Sequence, residues 1–257
     1  MDKKRIKELA KNPAFIPGIY NYCDRWCEKC AFSARCMNFA MEQEFFQDQE
    51  SADLDNAAFW ESMSEMLELT QSLLYDLALE MHIDLDAAFE DQENVEDRDF
   101  EKAKEHICSI LGEKYLWKAK DWLDSWECFD SDALVQIPGT SPASRTPRLQ
   151  EAQEILCRYL FLIQAKIMRA LQGKAETEQE APGSYDQDAA GSAKVALICI
   201  DRSLAAWGVV YEHMQEGRQE LSEIMLLLER LRRKVEAVFP EARDFIRPGF
   251  DETQYFD

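Results

Sequence analysis

The chain has 257 residues, 46% of them hydrophobic, enough to bury a substantial core in one large domain or two small ones. It bears 50 acidic against 29 basic side chains, a formal charge of −21. A surface this negative repels phosphate backbones and anionic headgroups, so no nucleic acid and no membrane surface is expected as a partner. Only 9 Gly and 8 Pro occur, too few turn residues for a many-stranded β fold.

The opening residues, MDKKRIKELAKN, are charged and lack an apolar stretch, so they do not read as a secretory signal. The longest apolar run, Val195 to Tyr211, is broken by Asp201, Arg202 and Ser203, and no membrane span is expected. The expected location is cytoplasmic. Thiols stay reduced there, so eight cysteines do not imply four disulfides.

In chain order, a short basic helix is expected over about 2–11, followed by turns at Asn12-Pro13 and Pro17-Gly18 and then a cysteine-rich segment. Helical sequence resumes near Cys36 and runs to about Asp48. From 53 to 82, Phe59, Trp60, Met63, Met66, Leu67, Leu73, Leu74, Leu77 and Met81 recur at three and four, the spacing of an amphipathic helix. The acidic stretch Asp84 to Asp99 reads as a loop, and a further helix is expected over about 99–129. Residues 130–147 form a connection in which Thr146-Pro147 has the form of an N-cap followed by Pro at the first helical position. Helices follow to about Gln172, from 190 to 216 and from 218 to 239, with a polar, mobile loop expected near 173–190. The tail after Pro240 is expected to pack back on the body.

Helices this long, joined by short loops, predict an all-α fold: an antiparallel bundle of about five to six helices with an N-terminal four-cysteine segment. The expected division is residues 1–48 for the metal-binding segment and 49–257 for the bundle.

The segment Ile16-PGIYNYCDRWCEKCAFSARCMN-Phe39 contains Cys23, Cys27, Cys30 and Cys36 in the spacing C-x3-C-x2-C-x5-C. Four soft sulfur donors within 14 residues supply what one tetrahedral zinc or one cubane iron–sulfur cluster needs. Chance cysteines or disulfides fit poorly when half of all cysteines crowd into so short a stretch of a reduced chain. Residues 1–36 hold eight bases and four acids, a net +4 against −25 for the remainder, and local positive charge favours thiolate, the metal-binding form. Tyr20, Tyr22, Trp26, Phe32 and Phe39 are expected around the ligands. Zinc sites more often use two separated CxxC pairs, whereas clusters accept tightly bunched, unequal spacings. The ligand chemistry therefore favours a [4Fe–4S] cluster, with Zn2+ as the alternative. Cys108, Cys128, Cys157 and Cys199 each stand alone in a predicted helix and are expected to be small buried apolar residues.

The stretch Cys27-EKCAFSAR-Cys36 resembles the CxxC-x5-C ligand runs of two iron–sulfur groups, the SPASM region of radical-SAM maturases and the Cas4- and AddB-like nucleases. The resemblance covers about ten residues. It implies cluster ligation by Cys27, Cys30 and Cys36 and none of those activities, since no GGC-type continuation follows Cys36 and no strand-borne acidic nuclease core is present. Cys23-x3-Cys27-x2-Cys30 also resembles the radical-SAM ligand spacing. That family has an aromatic just before the third cysteine; here the position is Lys29, and no βα repeats follow.

A carboxylate-bridged di-iron bundle requires Glu three residues before His. The residues three before His82, His106 and His213 are Leu79, Ala103 and Val210, so that site is excluded. Asp201 and Arg202 interrupt the most apolar helix. A structural ion pair or a polar helix edge is the favoured reading; the alternative is a polar pocket with His106 or Tyr159 nearby. No P-loop, GxGxxG or GxSxG is present. No reaction and no small-molecule ligand is specified. The expected function is a metal-binding protein with a binding, regulatory or redox-related role. The alternatives are a zinc-stapled adaptor with a protein partner, and an iron–sulfur enzyme or electron-transfer component.

Overall fold

The structure is a computed structural model; it describes residues 2–46, 56–85, 99–126, 142–177, 184–214 and 216–252. Among these the fold is all-helical. The helices are α1 (Lys3–Ala10), α2 (Met37–Phe45), α3 (Ala57–Met81), α4 (described over residues 99–105), α5 (Ile107–Trp126), α6 (Pro142–Thr177), α7 (Ser184–His213) and α8 (Arg218–Val238). Two short 3-10 helices, Cys27–Lys29 and Ser33–Arg35, lie between α1 and α2.

The chain divides into two compact units, one formed by Met1–Asp97 with Arg247–Asp257 and one by Arg98–Ile246. The first takes in α3 and the C-terminal tail as well as the cysteine segment.

In the second unit, α5 packs on α6, α6 on α7, α7 on α8 and α8 on α5, a closed ring of four helices. Leu221, Ile224, Leu228, Leu231 and Val235 of α8 recur at three and four and are all buried, so one stripe of that helix faces the ring's interior. Trp207 of α7 is fully buried and donates its indole N–H to the Tyr115 hydroxyl of α5 at 3.1 Å, which satisfies both polar atoms. Trp122 stacks edge-on against Trp207 at 5.2 Å. The last turn of α8 is closed by Lys174, whose ammonium donates to the Val238 carbonyl at 3.0 Å.

Among the described residues, eight helices replace the expected five to six. One added boundary has a visible cause. The period continues from 99 to 126, but His106 interrupts it, because its Nδ1 accepts the Cys108 N–H at 3.1 Å and so caps α5. Burial and the Lys174 charge lower the His106 pKa, which keeps the ring in the neutral form that this acceptor role needs. Part of the loop expected near 173–190 is helical: α6 continues to Thr177 and α7 begins at Ser184, while residues 178–183 lie outside the described residues. Gly173 lies inside α6. Pro142, not Pro147, opens α6, and Pro147 lies inside the helix.

Asp201 pairs with Arg243 at 2.6 Å and Arg232 at 3.5 Å, while Arg202 donates to the Tyr159 hydroxyl at 2.6 Å. Asp201 thus makes ion pairs that hold the segment after α8, in line with the structural reading, whereas Arg202 meets Tyr159, the residue named in the alternative. Cys108 and Cys199 are buried, but Cys157 is exposed, because α6 turns that position outward from its buried neighbours Leu156 and Tyr159. Cys128 lies outside the described residues.

In the first unit, Asp2 caps α1 through the Arg5 N–H at 2.8 Å. Arg5 forks onto Glu44 of α2 at 2.6 and 2.9 Å, and Lys3 reaches Asp76 of α3 at 2.8 Å. Asn56 caps α3, and His82 ends it in the left-handed conformation.

The buried Cys108 thiol is pushed up to about 11 by desolvation, and the Tyr115 phenol is pushed up to about 12 by burial, against the opposing Trp207 hydrogen bond. Both folded values are raised, so the native state holds protons that the unfolded chain releases. Stability is therefore complete below the ordinary thiol value of about 8.5 and declines as pH rises toward these folded values. The urea midpoint of unfolding is expected to fall between pH 8.5 and 11, and Cys108→Ala should flatten that decline. An identical slope in the variant would show that the thiol does not contribute.

Candidate metal centre

The cysteine segment is built from consecutive three-residue turns. The Cys30 N–H donates to the Cys27 carbonyl at 3.2 Å, Ser33 N–H to Cys30 at 3.4 Å and Cys36 N–H to Ser33 at 3.2 Å. Two 3-10 turns, Cys27–Lys29 and Ser33–Arg35, are separated by Cys30, whose backbone is extended (φ −85°, ψ 123°). Cys23, Cys27, Cys30, Ser33 and Cys36 line a single pocket. Cys36, also extended, leads into α2, where its carbonyl accepts the Ala40 N–H at 3.0 Å. The segment is anchored from behind by the Ile16 N–H, which donates to the Arg35 carbonyl at 3.0 Å.

Cys23 arrives differently. Residues 23–26 belong to no helix or 3-10 turn. Arg25 has φ +56°, in the left-handed region that costs a side-chain-bearing residue about 1–2 kcal/mol, and the Asp24 carboxylate accepts the Trp26 N–H at 3.2 Å. The Cys23 Sγ–H points to the Tyr20 carbonyl at 3.4 Å, whereas the Cys30 Sγ accepts the Phe32 N–H at 3.4 Å.

The pocket walls are Ile19, Tyr20, Trp26, Phe39 and Phe250. Phe32 lies behind them, in a small core with Ile16 and Ile19. Tyr22 is not a wall residue. Phe250 comes from the far end of the chain and meets Phe32 edge-on at 5.3 Å. Its turn is held by Arg247, which pairs with Asp251 at 3.0 Å and covers the Phe250 ring at 4.9 Å. The tail was expected to pack back on the body, and Phe250 is the tail ring that lines this pocket. Ser33 was missed, although its three-residue offset from Cys30 and Cys36 is legible once the turns are known.

The free volume among the thiols is ≈ 20 Å³, room for one ion- or water-sized body. Among the described residues, no three His, Cys, Asp or Glu side chains already converge as a single-ion site. The expected electrostatics are corrected. The Cys27 thiol is pushed up to about 11, first by burial and then by Glu42 and the other three cysteines. The Cys30 pKa is also raised by burial, with the Phe32 N–H opposing. The bases of α1 do not offset this, because Lys3 and Arg5 are engaged by Asp76 and Glu44, and Lys29 lies over the Trp26 ring at 4.2 Å. With the pKa of Cys27 and Cys30 raised by burial, a cation bound there displaces protons. Compared with known protein families, curated proteins and solved structures, the chain matches none. The thiol chemistry of the donor set suits a thiophilic metal.

Gly249 sets the tail against this core. It has φ +76°, and a Cβ there would lie 2.8 Å from Ile19 Cδ1 and 3.2 Å from Ile16 Cδ1. Gly249→Ala should therefore unseat Phe250 and raise amide hydrogen exchange at Cys30 and Cys36, while exchange in α7 stays unchanged. Unaltered exchange at Cys30 and Cys36 would show that the tail does not support the pocket.

Proposed function

We propose that Cys23, Cys27, Cys30 and Cys36 bind a [4Fe–4S] cluster, and that the protein is a binding or regulatory component whose centre reports redox state or iron supply. The observation that carries this reading is that four thiols from 14 residues line one aromatic-walled pocket. The single CxxC step, the unequal spacings and the ten-residue resemblance favour a cluster over a single zinc. So does the amide N–H already donated to Cys30 Sγ, since such bonds stabilise and tune sulfur ligands of clusters. Zn2+ is the alternative ligand of the same four residues. No second constellation of catalytic groups accompanies the thiols among the described residues, so a non-enzymatic role ranks above an enzyme or an electron-transfer component.

Anaerobically purified protein is expected to be brown, with iron and acid-labile sulfide in equal amounts. Cys30→Ser should lose the metal, and Cys157→Ser should keep it. A colourless protein with one zinc per chain would establish the zinc-stapled alternative, and full metal retention by Cys30→Ser would sink the ligand assignment.

A partner role has an observation of its own. Trp60, Leu67, Leu74 and Met81 recur every seven residues along α3 and are each 57–61% exposed. Next to this stripe lies a hollow of ≈ 290 Å³ lined by Leu74, Tyr75, Leu77 and Met81. A seven-residue repeat is the seam of a helix pair. Helix α3 bears Glu61, Glu65, Glu68, Asp76 and Glu80 and no Lys or Arg, so a second copy would set acid against acid. The charge pattern fits an amphipathic helix with basic flanks. A synthetic helix with a Leu seam and Lys flanks should bind, and Leu74→Glu should weaken that binding at least ~10-fold, about 1.4 kcal/mol. Equal binding of a Glu-flanked version would refute the charge argument, and dimerisation of the chain through this face would refute the choice of occupant. Helices of the described residues are not long and apolar enough to cross a membrane.

A further inference from the structure

We infer that the hollow at the C-terminal end of α3 is the anchor pocket of the partner surface, and that it seats one tryptophan of a helix whose lysines lie about three turns away on a single edge. This rests on the partner reading above and adds to it the anchor, the edge and the spacing.

The hollow of ≈ 290 Å³ is lined by Leu74, Leu77, Met81 and Ile83, each 46–59% exposed. It lies just below the range of about 300–1,000 Å³ that holds a drug-sized molecule, a size suited to one large side chain. Apolar side chains left half-exposed around a concave site gain most from a rigid aromatic ring, which buries about 150–250 Å². Two polar groups, the Gln71 amide and the Tyr75 hydroxyl, share the lining. An indole carries one N–H donor and no acceptor, and either group can accept that bond. Phenylalanine or leucine would offer them nothing, so tryptophan is the preferred anchor.

The charges of α3 lie on one side. On a 3.6-residue period, Glu61, Glu65 and Glu68 follow one another along one edge of the Trp60, Leu67 and Leu74 seam, and the row continues through Ser72 to Asp76 and Glu80. The other edge carries Met63, Thr70 and Leu77. Helix α1 already occupies the C-terminal half of the acidic row. Lys3 donates to Asp76 at 2.8 Å and to the Ser72 carbonyl at 3.2 Å, and Lys7 lies 3.9 Å from Glu80. Two lysines one turn apart thus meet two acids one turn apart, the register in which a basic helix reads this row.

The acids nearest the hollow are therefore engaged within the chain. Glu61, Glu65 and Glu68 are exposed and lie N-terminal to both pairs, so the lysines of a partner meet these three. From Glu65 to Leu77 the helix rises about 18 Å, which sets the separation between the lysines and the anchor. Helix α3 has no base in its last turn to offset its negative end. The N-terminus of an antiparallel partner supplies that charge, which places the tryptophan early in the partner helix and the lysines after it.

The probe is a labelled synthetic helix with a Leu seam, Trp in its first turn and Lys residues three turns later on one edge, titrated with the full chain and followed by fluorescence anisotropy. It is expected to bind at least ~10-fold tighter than the same helix with Ala in place of Trp, and at least ~10-fold tighter than one with its lysines moved to the opposite edge. Leu77→Glu in the chain should cancel the gain from Trp, and Gln71→Leu combined with Tyr75→Phe should make Trp and Phe helices bind alike. All three positions are exposed, and circular dichroism of each variant checks that α3 is intact. The inference is overturned if the Ala helix binds as tightly as the Trp helix, if either edge serves equally, or if the gain from Trp survives Leu77→Glu. If neither the Trp helix nor its all-Leu counterpart binds, the partner surface itself is refuted, a failure seen before any comparison is made.

Discussion

A helix cannot bring Cys27, Cys30 and Cys36 to one side, because residues nine apart on a 3.6-residue period face nearly opposite directions. Two short 3-10 turns at Cys27–Lys29 and Ser33–Arg35, joined through the extended Cys30, bring them to one pocket instead. Ile16 and Ile19 provide the apolar floor, the Ile16 N–H holds the Arg35 carbonyl, and α2 starts directly after Cys36. Such short turns carry few hydrogen bonds of their own, so the segment depends on its small apolar core.

The charge of the chain is arranged to leave this pocket nearly neutral. The N-terminal excess of bases is matched by carboxylates of α2 and α3: Arg5 with Glu44, Lys3 with Asp76, and Lys7 near Glu80. These pairs are partly exposed and contribute little stability each, but they set the register of α1 against its neighbours. Burial then favours the protonated form of Cys27 and Cys30. In the four-helix unit the same economy applies to buried polar atoms. Tyr115 and Trp207 satisfy each other, and the charges at Asp201 and Arg202 are placed at an edge where Arg243, Arg232 and Tyr159 reach them.

The helical class was legible because the three-and-four spacing in α3, α5 and α8 is strong and no alternation competes with it. The boundaries were less legible. His106 caps a helix with a ring nitrogen, a role that residue type alone does not announce. The polar stretch expected to begin near 173 is helical as far as Thr177, because polar composition alone does not end a helix. The four cysteines were singled out by spacing, and they line one pocket. Phe250 was out of reach for another reason: it lies more than two hundred residues from the thiols it covers, and no local pattern encodes a contact of that length.

That long connection has a thermodynamic consequence. The cysteine unit is discontinuous, with Arg98–Ile246 inserted between its two pieces. Closing so long a loop in an unfolded chain costs on the order of 5 kcal/mol on a logarithmic chain-length scale. The edge-on pair of Phe32 and Phe250 offsets only about 0.5–1.5 kcal/mol beyond its burial. The seat of the tail therefore draws on more than this ring pair: Gly249 packs against Ile16 and Ile19, and Arg247 pairs with Asp251 and covers the Phe250 ring, so several short-range contacts together offset the closure.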